Sequence, residues 1–351
     1  MKEYDPLQNP ACRVGFWKEL KESLLGSPRK LDCVQIEVSS FCPGRCLYCP
    51  HTTDRERWNS RHMAAETFAR LWPLLRQSGR AHLQGWGEPL LNPRFFDFAA
   101  FARKAGCAVS TTTCGLRMDD DIAARLVDSG IDVVAFSLAG TDERSNAPRA
   151  GVDFNRVVEA IRTLQRIRRK KNGVHLEIHL AYLMLADSVE AVRGLPRLMD
   201  ELDLHAAVIS TLDYIPAPGM EALAFAPPFA REDAEKIETA RAVLEETRRR
   251  VRAQGRDFYF ALPGKAPAPQ CRENTQRTVY VDADGNMSPC VYLNVPNGEN
   301  GPKHCIFGNV RERDALDIWH DPAFAGYRAR ILTEQPPEGC AGCAKRFEMA
   351  G

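Results

Sequence analysis

The period of the apolar positions changes repeatedly along the chain. Over residues 31–38 the apolar side chains alternate, with Val34, Ile36 and Val38 on one side, which predicts a strand. Residues 63–78 instead carry apolar side chains at helical spacing and stop at Gly79. The same exchange predicts strands over 80–85, 107–113, 131–138, 174–184 and 206–212. Helices are predicted over 94–105, 119–129, 153–172, 188–202 and 230–254. Gly79, Gly106, Gly130, Gly173 and Gly255 follow these helices, where a left-handed residue ends a helix best. Strands alternating with helices in this way predict an α/β fold with a parallel sheet.

Beyond about residue 255 the alternation stops. Residues 213–229 and 262–270 are rich in Pro and Ala, and the second stretch reads as a linker. After it, Thr278–Val281, the turn Asp282-Ala283-Asp284-Gly285 and Val291–Leu293 read as a β-hairpin, followed by a helix over 312–332. Three regions are therefore expected: an N-terminal extension over 1–30, an α/β region over 31–255, and a small hairpin-and-helix region over 256–351. The run Asp282-x-Asp284-Gly285-Asn286 resembles a calcium loop only superficially. It lacks Gly at the sixth position and Glu at the twelfth, so a hairpin turn is the better account.

Composition narrows the function classes. The 351 residues hold 47 Lys+Arg and 46 Asp+Glu, a formal charge of +1, which speaks against a dedicated nucleic-acid binder. No apolar stretch approaches the roughly 18 residues of a membrane span. The first thirty residues lack a signal-peptide core, so the expected location is the cytoplasm, without membrane contact. The cysteine count of twelve is the outlier. In such a setting cysteine usually means metal, redox work or a buried thiol rather than a disulfide. Cys42, Cys46 and Cys49 lie within eight residues, and Cys271, Cys290, Cys305, Cys340 and Cys343 gather near the C-terminus. Cys12, Cys33, Cys107 and Cys114 are scattered and read as plain thiols.

Cys42-Pro-Gly-Arg-Cys46-Leu-Tyr48-Cys49 directly follows the first strand. Three thiolates in one loop suit a soft metal centre. A structural zinc would want a fourth close ligand, whereas a [4Fe–4S] cluster can keep one iron open. This spacing resembles the cluster loop of the radical SAM superfamily, and residues 31–255 look like its partial (β/α)6, TIM-like barrel. The resemblance implies that Cys42, Cys46 and Cys49 hold the catalytic cluster and that S-adenosylmethionine (SAM) chelates the open iron. Tyr48 stands at the usual aromatic position beside the last cysteine. The second strand ends in Gly85-Trp86-Gly87-Glu88-Pro89, similar to the superfamily's glycine-glycine-glutamate-proline turn, and this implies SAM contacts for Gly87, Glu88 and Pro89. Trp86 replaces a glycine there. Thr113 at the end of the third strand, Ser137 at the end of the fourth, and Arg149 complete the implied SAM contacts. Cys114 stands where many members carry asparagine. The fifth strand has no glycine-rich ribose motif.

Gly285 four residues before Cys290, with Cys340-Ala-Gly-Cys343 later, resembles the SPASM/twitch extension of the same superfamily. A full SPASM module has seven cysteines. The four in matching positions here imply one auxiliary [4Fe–4S] cluster on Cys271, Cys290, Cys340 and Cys343, with Cys305 undecided. A structural Zn(Cys)4 site is the alternative that spacing leaves open.

Together these resemblances imply a radical SAM oxidoreductase. SAM would be cleaved reductively to a 5′-deoxyadenosyl radical, a substrate hydrogen removed, and an electron passed to the auxiliary cluster. The alternatives are a peptide- or enzyme-modifying maturase and, from another class, a non-catalytic zinc-binding interaction protein. The implied partners are a ferredoxin or flavodoxin-type electron donor and a small-molecule or peptide substrate. About thirty residues before the first strand are too few for a leader-binding domain, which tilts the expectation away from leader-dependent peptides. The cationic runs Arg166–Lys171 and Arg248–Arg252 read as solvated helix ends. His51, Trp86, His179, Tyr182, Asp213 and Tyr214 are expected at or near strand ends that face the cavity.

Overall fold

The computed structural model describes residues 30–171, 173–225, 231–264, 271–295, 305–331 and 333–347. The expected N-terminal extension, apart from Lys30, and most of the linker over 262–270 lie outside the described residues. Among the described residues, ten strands share one sheet: β1 (Leu31–Ile36), β2 (Ser78–Leu83), β3 (Ala108–Thr113), β4 (Val133–Leu138), β5 (Glu177–Met184), β6 (Ala206–Thr211), β7 (Asp257–Phe260), β8 (Thr278–Val281), β9 (Asn286–Ser288) and β10 (Gly308–Asn309). Their order is β10-β9-β8-β1-β2-β3-β4-β5-β6-β7. Every neighbouring pair from β8 through β1 to β7 is parallel, and only β9 and β10 run antiparallel.

The six alternating strands occupy the centre of this sheet in sequence order, as the change of apolar period predicts. Two flanking strands carry information the pattern lacked. β7 (DFYF) continues the parallel sheet on β6, but four residues show too little periodicity to read. β8 adds in parallel to the other side of β1, Cys33 opposite Thr278 and Ile36 opposite Val281. Residues before and after the linker thus share one sheet.

Several elements differ from the reading of the sequence. The helix expected over 63–78 is two short ones, Ala65–Ala69 and Trp72–Arg76, and β2 already begins at Ser78. Pro73 explains the break: it lacks an N–H and fits only a first helical turn. The helix expected over 312–332 divides into Ala315–His320 and Pro322–Arg330 at a second proline, with Asp321 capping the Ala323 N–H. The second hairpin strand is Asn286–Ser288, not 291–293, which form a 3-10 turn. Asp282 causes the early return. Its carboxylate accepts from the N–H groups of Asp284 and Asn286 and from the side chains of Asn286 and Asn294.

The pleat sorts the strand residues into two sets. Val34, Ile36, Ala81, Leu83, Val109, Val134, Phe136, Ile178 and Leu180 are fully buried and share one core with the helices. Phe136 and Ala160 of the helix Phe154–Arg169 both lie beside Gly115, 3.3 and 3.2 Å from where a Cβ on that residue would stand, which places this helix against this face. The opposite set, including Gln35, His82, Ser110, Ala135, Ser137 and Ala181, stays partly exposed and is small or polar. The sheet's inner face is therefore built as a lumen rather than as a packed core. Among the described residues, no helix is long and apolar enough to cross a membrane.

Candidate active site

The cysteine loop leaves the carboxyl end of β1 and is clamped from outside. Arg45 N–H donates to Ala150 O at 2.7 Å and Leu47 N–H to Pro148 O at 2.9 Å. Gly151, at φ +77, lets that second segment come close. Within the loop Gly44 is flanked by thiols, since a Cβ there would lie 3.5 Å from Cys42 Sγ and 3.7 Å from Cys46 Sγ. Cys49 N–H closes the turn on Cys46 O. Burial pushes the free Cys42 thiol up to about 11 and that of Cys49 up to about 12. Bare, these are neutral thiols, and metal binding must release their protons.

Tyr48, Ser137 and Arg149, far apart in sequence, meet beside this loop. Arg149 Nη1 donates to Ser137 Oγ at 2.7 Å and to the Tyr48 hydroxyl at 3.4 Å. Arg149 and Tyr48 are both buried, and the Arg149 Nε–H has no acceptor among the described residues. A buried guanidinium with an unanswered donor lacks an anionic partner. That orphan fits the carboxylate of SAM.

Glu88, Thr113 and Cys114 form a second group. The Glu88 carboxylate is buried and accepts from Thr113 Oγ1 at 2.7 Å, Cys114 N–H at 2.7 Å and Leu90 N–H at 3.2 Å. Gly87 lies so close to the neighbouring chain that a Cβ would collide with the Ser39 carbonyl oxygen and come 2.7 Å from Ser40 Cα. Pro89 starts a short 3-10 turn behind Glu88. The Cys42 thiol senses both groups, Glu88 holding its proton on and Arg149 drawing it off. Cys114 is buried, and burial together with Glu88 raises its thiol, as befits an inert residue.

The C-terminal cysteines line one cavity of about 430 Å³, bounded by Cys271, Cys290, Cys340 and Cys343 and by Asp213 and Tyr214 past the end of β6. Four thiols around one cavity fit a fully ligated cluster. Cys305 is not part of its lining. It packs near Cys340, whose Sγ lies 3.5 Å from the Tyr327 hydroxyl. Burial raises the Cys271 thiol to about 12 and the Cys343 thiol to about 11. Among the described residues, no three of His, Cys, Asp and Glu form a site for a single metal ion.

Trp86 stands between the two cysteine sets. Its N–H donates to Glu37 Oε1 at 2.8 Å and its indole N–H to Val291 O at 3.3 Å, the residue after Cys290. Its ring meets Trp58, Tyr214 and Tyr292 at centroid distances of 6.4, 6.3 and 6.0 Å. Trp58, Tyr292 and Glu37 were not singled out from the sequence. Isolated aromatic residues and a lone acid carry no local signal, and only the meeting of β1, β2 and the C-terminal region assembles them. Tyr182, expected toward the cavity, is fully buried instead.

A parallel α/β sheet that places one three-thiol loop beside a buried arginine, and four further thiols around a cavity at the mouth, offers the donor sets that two iron–sulfur clusters would need. Residues 36–182 match the model of the radical SAM superfamily, and residues 271–344 match that of SPASM, an iron–sulfur cluster-binding domain. The chain belongs to the radical SAM superfamily and carries a SPASM domain. It is 25% identical over 322 residues to the PqqA peptide cyclase of Granulibacter bethesdensis, covering 88% of this chain and 79% of the relative. It is 22% identical to the tungsten-containing aldehyde ferredoxin oxidoreductase cofactor-modifying protein of Pyrococcus furiosus, covering 89% and 86%. In fold it is similar to Streptococcus suis SuiB bound to SAM, with TM-score 0.64 at 16% identity over 96% of this chain and 80% of SuiB. It is also similar to anSMEcpe with bound SAM, with TM-score 0.63 at 15% identity over 90% and 93%. The partial TIM-like barrel is thereby established. Cys42, Cys46 and Cys49 would hold one cluster and Cys271, Cys290, Cys340 and Cys343 the other, and once bound, SAM and these clusters would supply the radical and electron-transfer chemistry of the superfamily.

Proposed function

We propose that the chain oxidises a side chain of a peptide substrate, consuming SAM and passing the second electron to the auxiliary cluster. The observation that carries this reading is the shared cavity: Leu212, Asp213 and Tyr214 at the barrel mouth line the same space as the four C-terminal cysteines. A substrate radical formed at the mouth then has an acceptor beside it, and electron loss is favoured over return of the hydrogen atom. In the balance, the substrate gives one hydrogen atom to the adenosyl radical, one electron to the auxiliary site and one proton to solvent. Two hydrogens are lost per SAM cleaved.

The curated relative is named for cyclisation of the PqqA peptide, and SuiB has been solved with its precursor peptide SuiA. Both support a peptide over a small metabolite. In this reading Cys42, Cys46 and Cys49 hold the catalytic cluster, Cys271, Cys290, Cys340 and Cys343 the auxiliary one. Gly87, Glu88, Pro89, Thr113, Ser137, Tyr48 and Arg149 surround SAM. Residues 31–255 make the radical site and 256–351 the auxiliary site, in a cytoplasmic enzyme served by a ferredoxin or flavodoxin-type donor.

The test is anaerobic turnover of the reconstituted chain with SAM, a reductant and a synthetic peptide from a short reading frame adjacent to its gene. The expected result is a peptide lacking two hydrogens per 5′-deoxyadenosine formed. Turnover of a small alcohol or amine in the same stoichiometry, with the peptide untouched, would overturn the peptide reading.

A further inference from the structure

The cavity that the four C-terminal cysteines line is bordered by a cluster of four charges, Asp213 with its side chain buried and Lys345, Arg272 and Glu273 partly buried. Lys345 Nζ lies 3.0 Å from Asp213 Oδ2 and 2.9 Å from Glu273 Oε1, and Arg272 reaches Asp213 Oδ1 at 3.7 Å. The side chains are 14% exposed for Lys345, 20% for Glu273, 17% for Arg272 and 2% for Asp213. In such a setting water screens poorly and charges act over several ångströms.

The positions of these residues are not arbitrary. Glu273 lies two residues after Cys271 and Lys345 two residues after Cys343, and the backbone N–H of each points at the preceding cysteine's sulfur. Arg272 N–H donates to Lys345 O at 2.9 Å, and its guanidinium to Ala344 O at 3.2 Å, so the two ligand segments are sewn together. Asp213 is the contribution of the barrel. It lies two residues past the end of β6, is hydrogen-bonded by Thr211 Oγ1 at 2.7 Å, and precedes Tyr214 in the aromatic group around Trp86. Lys345 also stands over the Tyr292 ring, 5.7 Å from its centroid.

We propose that Lys345 is a positioning residue that raises the reduction potential of the auxiliary cluster, and that Asp213 is the opposing charge by which the barrel sets the size of that effect. The inference rests on the auxiliary-cluster assignment made above. Reduction adds one electron to the cluster, and a fixed cation beside its ligands stabilises the added charge while a fixed anion destabilises it. Lys345 acts through space and through the Cys343 segment and touches no substrate. No bond is made or broken.

The test is a redox titration of the reconstituted full chain followed by electron paramagnetic resonance. Added SAM shifts the signal of the catalytic cluster and leaves the auxiliary signal in place, so the two are read separately. Lys345→Met should lower the auxiliary midpoint potential, Lys345→Arg should restore it, and Asp213→Asn should raise it. The catalytic cluster's potential and the iron content of about eight per chain should hold in all three. Shifts of the same sign in Lys345→Met and Asp213→Asn would reveal only a loosened site and would overturn the proposal, as would unchanged potentials. Where Lys345→Met fails to load iron, the sign for Asp213→Asn decides. A wild-type chain with iron at the first site and none at the second would sink the auxiliary assignment itself, a result distinct from any potential shift.

Discussion

Arg149 Nη1 lies 2.7 Å from Ser137 Oγ, while the Nε–H of the same guanidinium meets no acceptor among the described residues. One buried arginine is thus half satisfied by the fold and half reserved. Charge-assisted hydrogen bonds contribute about 1.5–3 kcal/mol each. Arg149→Ala should therefore weaken SAM binding about 10- to 150-fold, and Arg149→Lys should fall between, since lysine keeps the charge but loses the fork. Equilibrium binding of SAM to the reconstituted protein checks this. Wild-type affinity in Arg149→Ala would remove the residue from the SAM site.

The two cysteine sets should be separable. Replacing Cys42, Cys46 and Cys49 together by Ala is expected to remove about four iron and abolish 5′-deoxyadenosine formation. Replacing Cys340 and Cys343 should remove a different four and leave SAM cleavage measurable. Iron and sulfide analysis beside product chromatography distinguishes the cases, and cleavage surviving in the first variant would sink the assignment.

Cys305 is absent from the lining of the four-thiol cavity. Cys305→Ala should therefore retain about eight iron per chain and an unchanged auxiliary resonance signal. Loss of iron from this variant would make it a ligand.

At Gly87 a methyl group would run into the main chain of Ser39 and Ser40, which cannot step aside. Gly87→Ala should lower stability by about 1–3 kcal/mol, the usual range for overpacking, and weaken SAM binding as the turn is displaced. Thermal unfolding and SAM titration measure the two effects. A variant with wild-type behaviour in both would show that the two loops separate freely.

Glu37 is buried, and burial lifts its carboxyl to about 7 from the ordinary range. A native pKa above that of the unfolded chain means stability fully present below about pH 4.5 and lost as pH rises toward and through 7. His82 opposes this. Burial lowers it to about 4, so its contribution is present above about 6.5 and falls away as pH drops toward 4. Both proteins in a comparison with Glu37→Gln carry His82, so its effect cancels. The unfolding midpoint of the cluster-free wild type should fall relative to Glu37→Gln between pH 5 and pH 8. Parallel pH curves would show that Glu37 does not titrate in this interval.

The sequence by itself determined the parts of this protein whose causes are local. Alternating periods of two and 3.6 residues specified six strands and their helices, because each period is a property of a few neighbouring residues. The Cys42-Cys46-Cys49 spacing and the Gly87-Glu88-Pro89 turn were equally legible, since each lies within one short segment, whereas Cys271, Cys290, Cys340 and Cys343 come from segments far apart in the chain and were read only through resemblance. Prolines 73 and 322 carried the helix breaks, but the apolar spacing continues across both and masked them. Tertiary structure alone decided what depends on pairing between distant segments. β8 settles on β1 and so carries the C-terminal cysteines up to the barrel mouth. Arg149 reaches Ser137 and Tyr48 across turns that no spacing specifies. Lys345 finds Asp213 for the same reason: a buried charge must meet its partner wherever the folded chain brings one, and that place is set by the packing of the whole sheet rather than by the residues on either side.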